Sequence, residues 1–364
     1  MAGLYQYSDS DIVNDTQRLV TSTWSENTNN LTTHFTSSQV AYGSATASGA
    51  HYLNVYKSSA NATGSSNVEY SVAYGHRYGS GSLDFTNDVG AYGKSPSANI
   101  YSQYRQLVYG DENSFFTFNG HTPDSIFIIN VNRARYKHNL KPGTLNLKLS
   151  GSSANFLWLT DDSLTQTGSS TVTNAGRQFN VVSGSNGVML GSNLNQLQGG
   201  GSGSYGFFYP DSGFIVLNAD AIRDSRFGLN GADSLTEITA SNTDGQNARR
   251  LFDCISGNPD GFDAQGTGDS NGGNYFILDS EEKVSSQYYF TRAKNNEFNY
   301  TTNPSYVDQQ GNVSFTSMID NPTTYITTVG LYNDSGDLVA VAKLSQPVVK
   351  DFTKEALIRV KLDY

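Results

Sequence analysis

Apolar and polar residues near the carboxyl terminus follow the pattern of two paired strands. Residues 325–332 are rich in β-branched and aromatic side chains, residues 333–336 supply turn chemistry, and residues 338–344 form a second apolar run. Two such runs around a short polar turn predict a β-hairpin.

The last residues of the chain alternate between apolar and charged side chains. The apolar ones are Ile358, Val360, Leu362 and Tyr364. In an extended strand they lie on one face and the charges lie on the other. We expect that apolar face to be covered, either by this chain or by another copy.

Further apolar runs predict a large β-rich body. They lie at residues 68–74, 115–118, 125–132, 143–149, 155–160, 178–182, 205–209, 213–218 and 275–278. Runs of Gly, Ser, Asn and Asp separate them, as is typical of turns. The expected fold is therefore mainly β, with sandwich-like sheets in the body, a few short helices and a small carboxyl-terminal β module.

Helical spacing occurs in a few places. Residues 95–110 begin with Ser-Pro, continue with an apolar stripe that includes Leu107, and end with Gly, which predicts a helix. Residues 246–255 show similar spacing and contain Cys254, the one cysteine of the chain, which we expect to be buried. Residues 9–20 fit a short helix.

Changes in composition divide the chain into three parts. The first is an amino-terminal arm and mixed segment at residues 1–60. The second is the β-rich body at 61–284, which includes Gly/Ser loops, and the third is the carboxyl-terminal module at 285–364 with its hairpin and arm.

The charge of the chain argues against nucleic acid as a partner. The formal charge is −10 and the pI is about 4.9, so the long-range field repels phosphate. A local exception is Arg133 and Arg135, which follow the apolar run at 125–132. If the strand continued through them, both would point to the same side and could meet acidic residues of a neighbouring subunit. The alternative is a solvated strand end that balances nearby acids.

Catalytic patterns are absent from the sequence. It contains no zinc-protease, P-loop or serine-hydrolase motif, and its five histidines are scattered. The acid pairs Asp161-Asp162 and Glu281-Glu282 are adjacent residues, which point to opposite faces if extended; we expect solvated turns there. We therefore predict no catalytic residue.

Two glycine-containing segments resemble ligand sites only in spacing. Residues 201–206 have the glycine spacing of a dinucleotide site, but no flanking strand and helix are predicted. Asp260, Asp263 and Asp269 could wrap a calcium ion, but they lack EF-hand spacing, and a flexible loop is favoured. We expect no cofactor and no metal.

Several blocks of residues carry a resemblance to one family. They include Asn130-Val131-Asn132-Arg133-Ala134-Arg135, Asn296-Glu297-Phe298-Asn299-Tyr300, Val329-Gly330-Leu331-Tyr332-Asn333-Asp334 and Gly336-Asp337-Leu338-Val339-Ala340-Val341. These blocks resemble virion structural proteins of contractile-tailed bacteriophages, in particular cyanophage-like ones. The family brings no catalytic motif to this chain.

The resemblance implies a non-enzymatic tail or baseplate protein that is made in the host cytoplasm and incorporated into the virion. Its expected partners are other virion structural proteins or further copies of itself, with no membrane and no nucleic acid. Apart from Arg133 and Arg135, the predicted contact residues are Phe298, Tyr300, Tyr325, Ile326, Leu331, Tyr332, Ile358, Val360 and Leu362.

Two other functions fit the same composition. One is a fibre- or spike-type surface adhesin that binds or cleaves glycans, with Tyr205, Phe208 and Tyr209 as an aromatic platform. The other is a capsid or neck decoration protein, which shares the physics of assembly and differs in its location.

Overall fold

The computed structural model describes residues 5–36, 52–57, 67–81, 95–150, 156–165, 170–189, 204–222, 246–256, 265–267, 275–301 and 303–364. The chain forms two compact units. The body unit is Leu19–Glu282. The terminal unit is Lys283–Tyr364 together with the chain up to Arg18.

The described part of the chain contains strands of widely different length. They are β1 (Ile12–Ser22), β2 (Asn30–Leu31), β3 (Thr33–Thr36), β4 (Tyr52–Tyr56), β5 (Val68–His76), β6 (Ser125–Val131), β7 (Asn139–Leu140), β8 (Asn146–Ser150), β9 (Phe156–Asp161), β10 (Thr171–Thr173), β11 (Gly176–Ser185), β12 (Val188–Met189), β13 (Gly206–Tyr209), β14 (Phe214–Asn218), β15 (Gln265–Thr267), β16 (Phe276–Ile277), β17 (Asp279–Ala293), β18 (Thr324–Tyr332), β19 (Leu338–Lys350) and β20 (Ala356–Asp363).

Helices are fewer in these described ranges. The α-helices are α1 (Pro96–Tyr109), α2 (Ala219–Ile222), α3 (Gln246–Ser256) and α4 (Ser317–Asp320), and 3-10 turns lie at Asp9–Asp11, Ser25–Asn27 and Arg133–Arg135. The mainly β class with a small carboxyl-terminal β module is confirmed.

The body unit is built around one antiparallel sheet that nearly closes on itself. Along its described strands the order is β15-β3-β4-β5-β6-β14-β13-β11-β9-β8-β16-β2. Thr32 alone separates β2, which pairs with β16, from β3, which pairs with β4. One extended segment therefore joins the two ends of the strand order, and the sheet is barrel-like.

The two faces of this sheet carry different apolar clusters because side chains alternate along each strand. On β5 and β6, Tyr70, Val72 and Phe127 belong to the interior cluster. Their neighbours Ala73 and Ile128 belong to a second cluster on the outer face. Both faces are therefore apolar in this region, and both need a cover.

Helix α1 covers part of the outer face. It begins after Ser95 and ends at Gly110, whose φ of 67° is a left-handed conformation that glycine adopts without strain. Tyr101 and Val108 are buried against the sheet. The predicted helix is confirmed, but Leu107 is 44% exposed and lies off the buried stripe.

Helix α3 fills part of the interior. It contacts β3, β4, β5 and β8, and Leu251, Phe252 and Cys254 belong to the interior cluster. The predicted helix and the buried cysteine are confirmed. A buried ion pair lies on the same helix, with the Arg249 Nε atom donating to Asp253 Oδ1 over 2.8 Å.

The terminal unit combines a long-strand sheet with a separate hairpin. Strand β20 pairs antiparallel with β17 from Ser286–Asp363 to Ala293–Ala356, and β1 lies along β17. Strands β18 and β19 form the predicted hairpin, which is confirmed, with its turn between Asn333 and Asp337.

Two of the local predictions are wrong. Residues 9–20 form a 3-10 turn followed by β1, because Ser8 and Asp11 close a capping box and the chain is extended from Ile12 onward. Residues 115–118 form no strand apart from a bridge between Phe118 and His121, although Phe116 and Phe118 are fully buried. Apolar packing in that segment does not require strand pairing.

Asp253 gives the body unit a predictable dependence on pH. Burial raises its pKa to about 7, even though Arg249 and Arg250 act in the opposite direction, whereas an unfolded Asp has a pKa of about 4. Between these values the folded protein binds more protons than the unfolded chain. The free energy of unfolding therefore falls as pH rises, by at most about 1.4 kcal/mol per pH unit from this group.

We predict that Asp253→Asn removes this contribution between pH 5 and pH 7. Urea unfolding at several pH values, followed by tryptophan fluorescence, measures it, because Trp24 is buried in the body unit. Glu112→Gln, at an exposed position, is the control and should keep the wild-type slope. Equal slopes for Asp253→Asn and the wild type would contradict the assignment.

Candidate functional site

The inner face of the terminal hairpin packs against β20. Leu331 is 7% exposed, Ile358 8% and Val360 5%, and the three form one apolar cluster. Ile326 and Leu362 are half-buried against it. This chain therefore covers the apolar face of the last strand at Ile358, Val360 and Leu362, which stabilise the fold, whereas Tyr364 is 70% exposed.

The opposite side of the hairpin is exposed, and we call it the outer hairpin face. It is defined by Tyr325, Tyr332, Leu338, Val339, Val341 and Val349. Five of these side chains are 52% to 67% exposed, and Val349 is 37% exposed. Exposed apolar residues grouped on one side of a sheet mark an interaction surface more often than single exposed ones do.

Cross-strand pairing holds these side chains in place. Tyr325 lies opposite Val349, and Tyr332 lies opposite Leu338. Between them Gly330 leaves room, since a β-carbon there would lie 3.1 Å from the Tyr332 ring and 3.3 Å from Leu338. The Tyr332 ring and Leu338 therefore extend over the backbone at Gly330 and form a continuous apolar area.

A loop of the terminal unit presents two more aromatic residues. Phe298 is 38% exposed and Tyr300 is 53% exposed. Phe298 has a φ of 55°, a conformation that costs energy for a bulky residue. The Thr324 hydroxyl donates a hydrogen bond to the carbonyl oxygen of Phe298 over 2.6 Å.

Lys350 holds the same loop in place through buried hydrogen bonds. Its fully buried ammonium group donates to the Asn295 carbonyl, the Asn299 side-chain oxygen and the Asp351 carbonyl over 3.0, 2.7 and 3.0 Å. A buried charge is tolerated when its donors are satisfied in this way. The sequence pattern did not reveal this anchor.

The predicted contact residues thus fall into two groups. Tyr325, Tyr332, Phe298 and Tyr300 are exposed and remain candidates for a contact. The others pack within the unit. Sequence reasoning missed the contribution of β19 to the outer hairpin face, although its alternating valines indicated it.

The strand does not continue through Arg133 and Arg135, whose role as contact residues stays a prediction. Asn132 accepts a hydrogen bond from the Ala134 N–H and caps a 3-10 turn, so the two arginines do not alternate on a strand. Arg133 donates to the Tyr136 carbonyl over 2.6 Å, whereas the buried Nε of Arg135 has no hydrogen-bond partner among the described residues.

The expectation of a solvated turn at Asp161 and Asp162 is also wrong. Both are buried, at 0% and 5% exposure. Asp161 accepts from the Gly143 and Ser163 N–H groups over 2.8 and 3.1 Å, and Asp162 accepts from both the backbone and the side chain of Asn180. Burial raises the pKa of Asp161. Through these hydrogen bonds the two buried acids hold neighbouring loops against the sheet.

The aromatic platform of the adhesin alternative does not exist on the surface. Tyr205, Phe208 and Tyr209 are all fully buried. Of the glycine motif at 201–206, the described part leads into strand β13 and not into a helix. The acids at 260, 263 and 269 lie outside the described residues.

Among the described residues, no group of three or more His, Cys, Asp or Glu side chains is placed to hold a metal ion. No described helix combines the length and apolarity needed to cross a bilayer.

Comparison with known proteins identifies no relative. No protein-family model, no curated protein and no solved structure matches the chain.

The two sides of β20 supply a matched test of how the terminal unit is held together. Ile358 is buried under the hairpin, whereas its neighbour Leu357 is 67% exposed. We predict that Ile358→Ala lowers the stability of the unit by about 2 to 4 kcal/mol. Leu357→Ala should change it by less than about 0.5 kcal/mol.

Hydrogen exchange of the amides of β20 measures this difference directly. Tryptophan fluorescence does not, because both tryptophans lie in the body unit. Faster exchange in Ile358→Ala with unchanged exchange in Leu357→Ala is the expected result. Equal effects of the two substitutions would contradict the packing.

Proposed function

We propose that the chain is a non-enzymatic virion structural protein of a tailed phage, a tail or baseplate component that contacts several other subunits. The proposal rests on the difference between the two faces of the terminal hairpin. Its inner face packs on β20, while Tyr325, Tyr332 and Val341 remain exposed on the other face.

This surface has the chemistry of a subunit contact. Aromatic and β-branched side chains give a large apolar area, and tyrosine adds a hydroxyl at its rim. Charged residues are only 15% of the chain, so few ions must be desolvated when such a surface is covered.

The hairpin is suited to present this surface. It is a two-stranded sheet, and such a sheet is marginally stable alone unless one face is packed. Here the inner face supplies stability, and the outer face is free to bind. Cross-strand pairs order the side chains before binding, which lowers the entropy cost of association.

The location in the virion rests on the resemblance of the sequence blocks to tail and baseplate proteins. Synthesis in the host cytoplasm and partners among the virion proteins follow from that location. The adhesin alternative is not proposed, because its aromatic platform is buried.

Charge introduced on the outer hairpin face tests the proposal. We predict that Tyr325→Asp and Tyr332→Asp each weaken incorporation into particles, and that the double variant abolishes it. Central aromatic residues of interfaces contribute about 2 kcal/mol each, which corresponds to about a thirtyfold change. Both tyrosines are more than half exposed, so folding should be retained.

The measurement is complementation of a phage that lacks the protein, with the chain quantified in purified particles. Val172→Asp is the matched control, because Val172 is 75% exposed on the body unit. The control should enter particles like the wild type. A folded double variant that enters particles at the wild-type level would refute the proposed role.

A further inference from the structure

The body unit contains a half-open cleft beside helix α1. It has a volume of about 220 Å³ and lies between α1 and the outer face of β4, β5 and β6. It is lined by Tyr52, Ser71, Ala73, Ile100, Gln103, Tyr104, Ile128 and Asn130. Neither the hairpin nor the proposed subunit contact uses these residues.

A row of neutral polar side chains runs across the sheet at this cleft. Asn54 lies opposite Ser71 in the strand register, and Ser71 lies opposite Asn130. The Ser71 hydroxyl donates to the Asn54 side-chain oxygen over 2.8 Å. The next row contains Ala73 and Ile128, which belong to the outer apolar cluster under α1. The polar row is thus half-buried beside that apolar area.

Helix α1 supplies the other wall. Tyr104 packs edge-on against Phe214 with the ring centres 5.2 Å apart, which fixes the orientation of its ring. Burial raises the pKa of Tyr104 to about 12, so the phenol is neutral near pH 7. Tyr52 lies at the rim and is 52% exposed.

Hydrogen-bonding capacity remains in the cleft. The side-chain amides of Gln103 and Asn130 line it and make no side-chain hydrogen bond with another described residue. Each amide offers donors and an acceptor. The ligand they suit therefore carries both kinds of group.

The lining also excludes charged ligands. Its described residues include no Asp, Glu, Lys, Arg or His. A phosphate or carboxylate would lose its hydration without gaining an opposite charge, which is costly. The cleft holds the volume of about seven water molecules at about 30 Å³ each, so the ligand is small.

We propose that this cleft binds one ring of a neutral saccharide. A pyranose has an apolar C–H face that packs on tyrosine rings and hydroxyl edges that exchange hydrogen bonds with amides and a serine. The cleft combines these features: two tyrosines, apolar side chains of the sheet and helix, and neutral polar groups on both walls. This site is independent of the assembly role.

Ligand-observed NMR and calorimetry on the full chain test the site. The probes are methyl glucoside, methyl galactoside and N-acetylglucosamine, with uridine and glucose 6-phosphate as contrasting ligands. We expect at least one neutral sugar to bind with a Kd of about 1 mM, typical of a small contact area. Binding should be insensitive to NaCl concentration, because none of the described residues that line the cleft is charged.

The variants are Tyr52→Ala and Gln103→Ala, both at exposed positions where folding is not at risk. Each should weaken sugar binding by about tenfold, the loss expected for one contact of about 1.4 kcal/mol. Trp158→Ala is the control, since Trp158 is 45% exposed on β9, away from the strands that line the cleft.

Three results would overturn the proposal. One is that no neutral sugar of the panel binds the wild type. Another is that the Tyr52→Ala, Gln103→Ala double variant binds sugar as the wild type does. The third is that uridine or glucose 6-phosphate binds more tightly than every neutral sugar, which would assign the cleft to a different ligand class.

Discussion

Covering the apolar face of a strand removes it from water, which stabilises the fold. This structure depends on which element covers each such face. Helix α3 covers part of the interior of the body sheet, and α1 covers part of the outer face. The terminal hairpin covers β20. The outer hairpin face differs, because its apolar side chains stay exposed. The proposed function rests on these exposed side chains.

The two proposed binding surfaces bind through different interactions. The outer hairpin face offers apolar and aromatic area, which favours a partner of matching shape and gives affinity through desolvation. The cleft beside α1 offers neutral hydrogen-bonding groups between two tyrosines, which favours a small polar ligand and gives selectivity through pairing. A protein that is held in place by one surface can use the other for recognition. Neither surface requires bond-making chemistry.

Local patterns predicted the elements whose cause is local. The hairpin follows from two apolar runs around Asn333–Gly336, and α1 follows from its Ser-Pro start and its Gly end. Closure of the sheet was not predictable, because it depends on the pairing of β2 with β16, which lie far apart in sequence. The cleft was missed for the same reason, since Tyr52, Ser71 and Asn130, which line it, come from three separate strands. At Arg133 the strand pattern failed, because Asn132 caps a 3-10 turn that begins there.

The proposed role requires that a neighbouring protein covers the outer hairpin face. A cryo-electron microscopy map of the intact particle, in which this chain is traced, tests that claim directly. We expect density of another subunit within contact distance of Tyr325, Tyr332 and Val341. A map in which these three side chains face solvent in every copy, or a particle that lacks the chain, would contradict it.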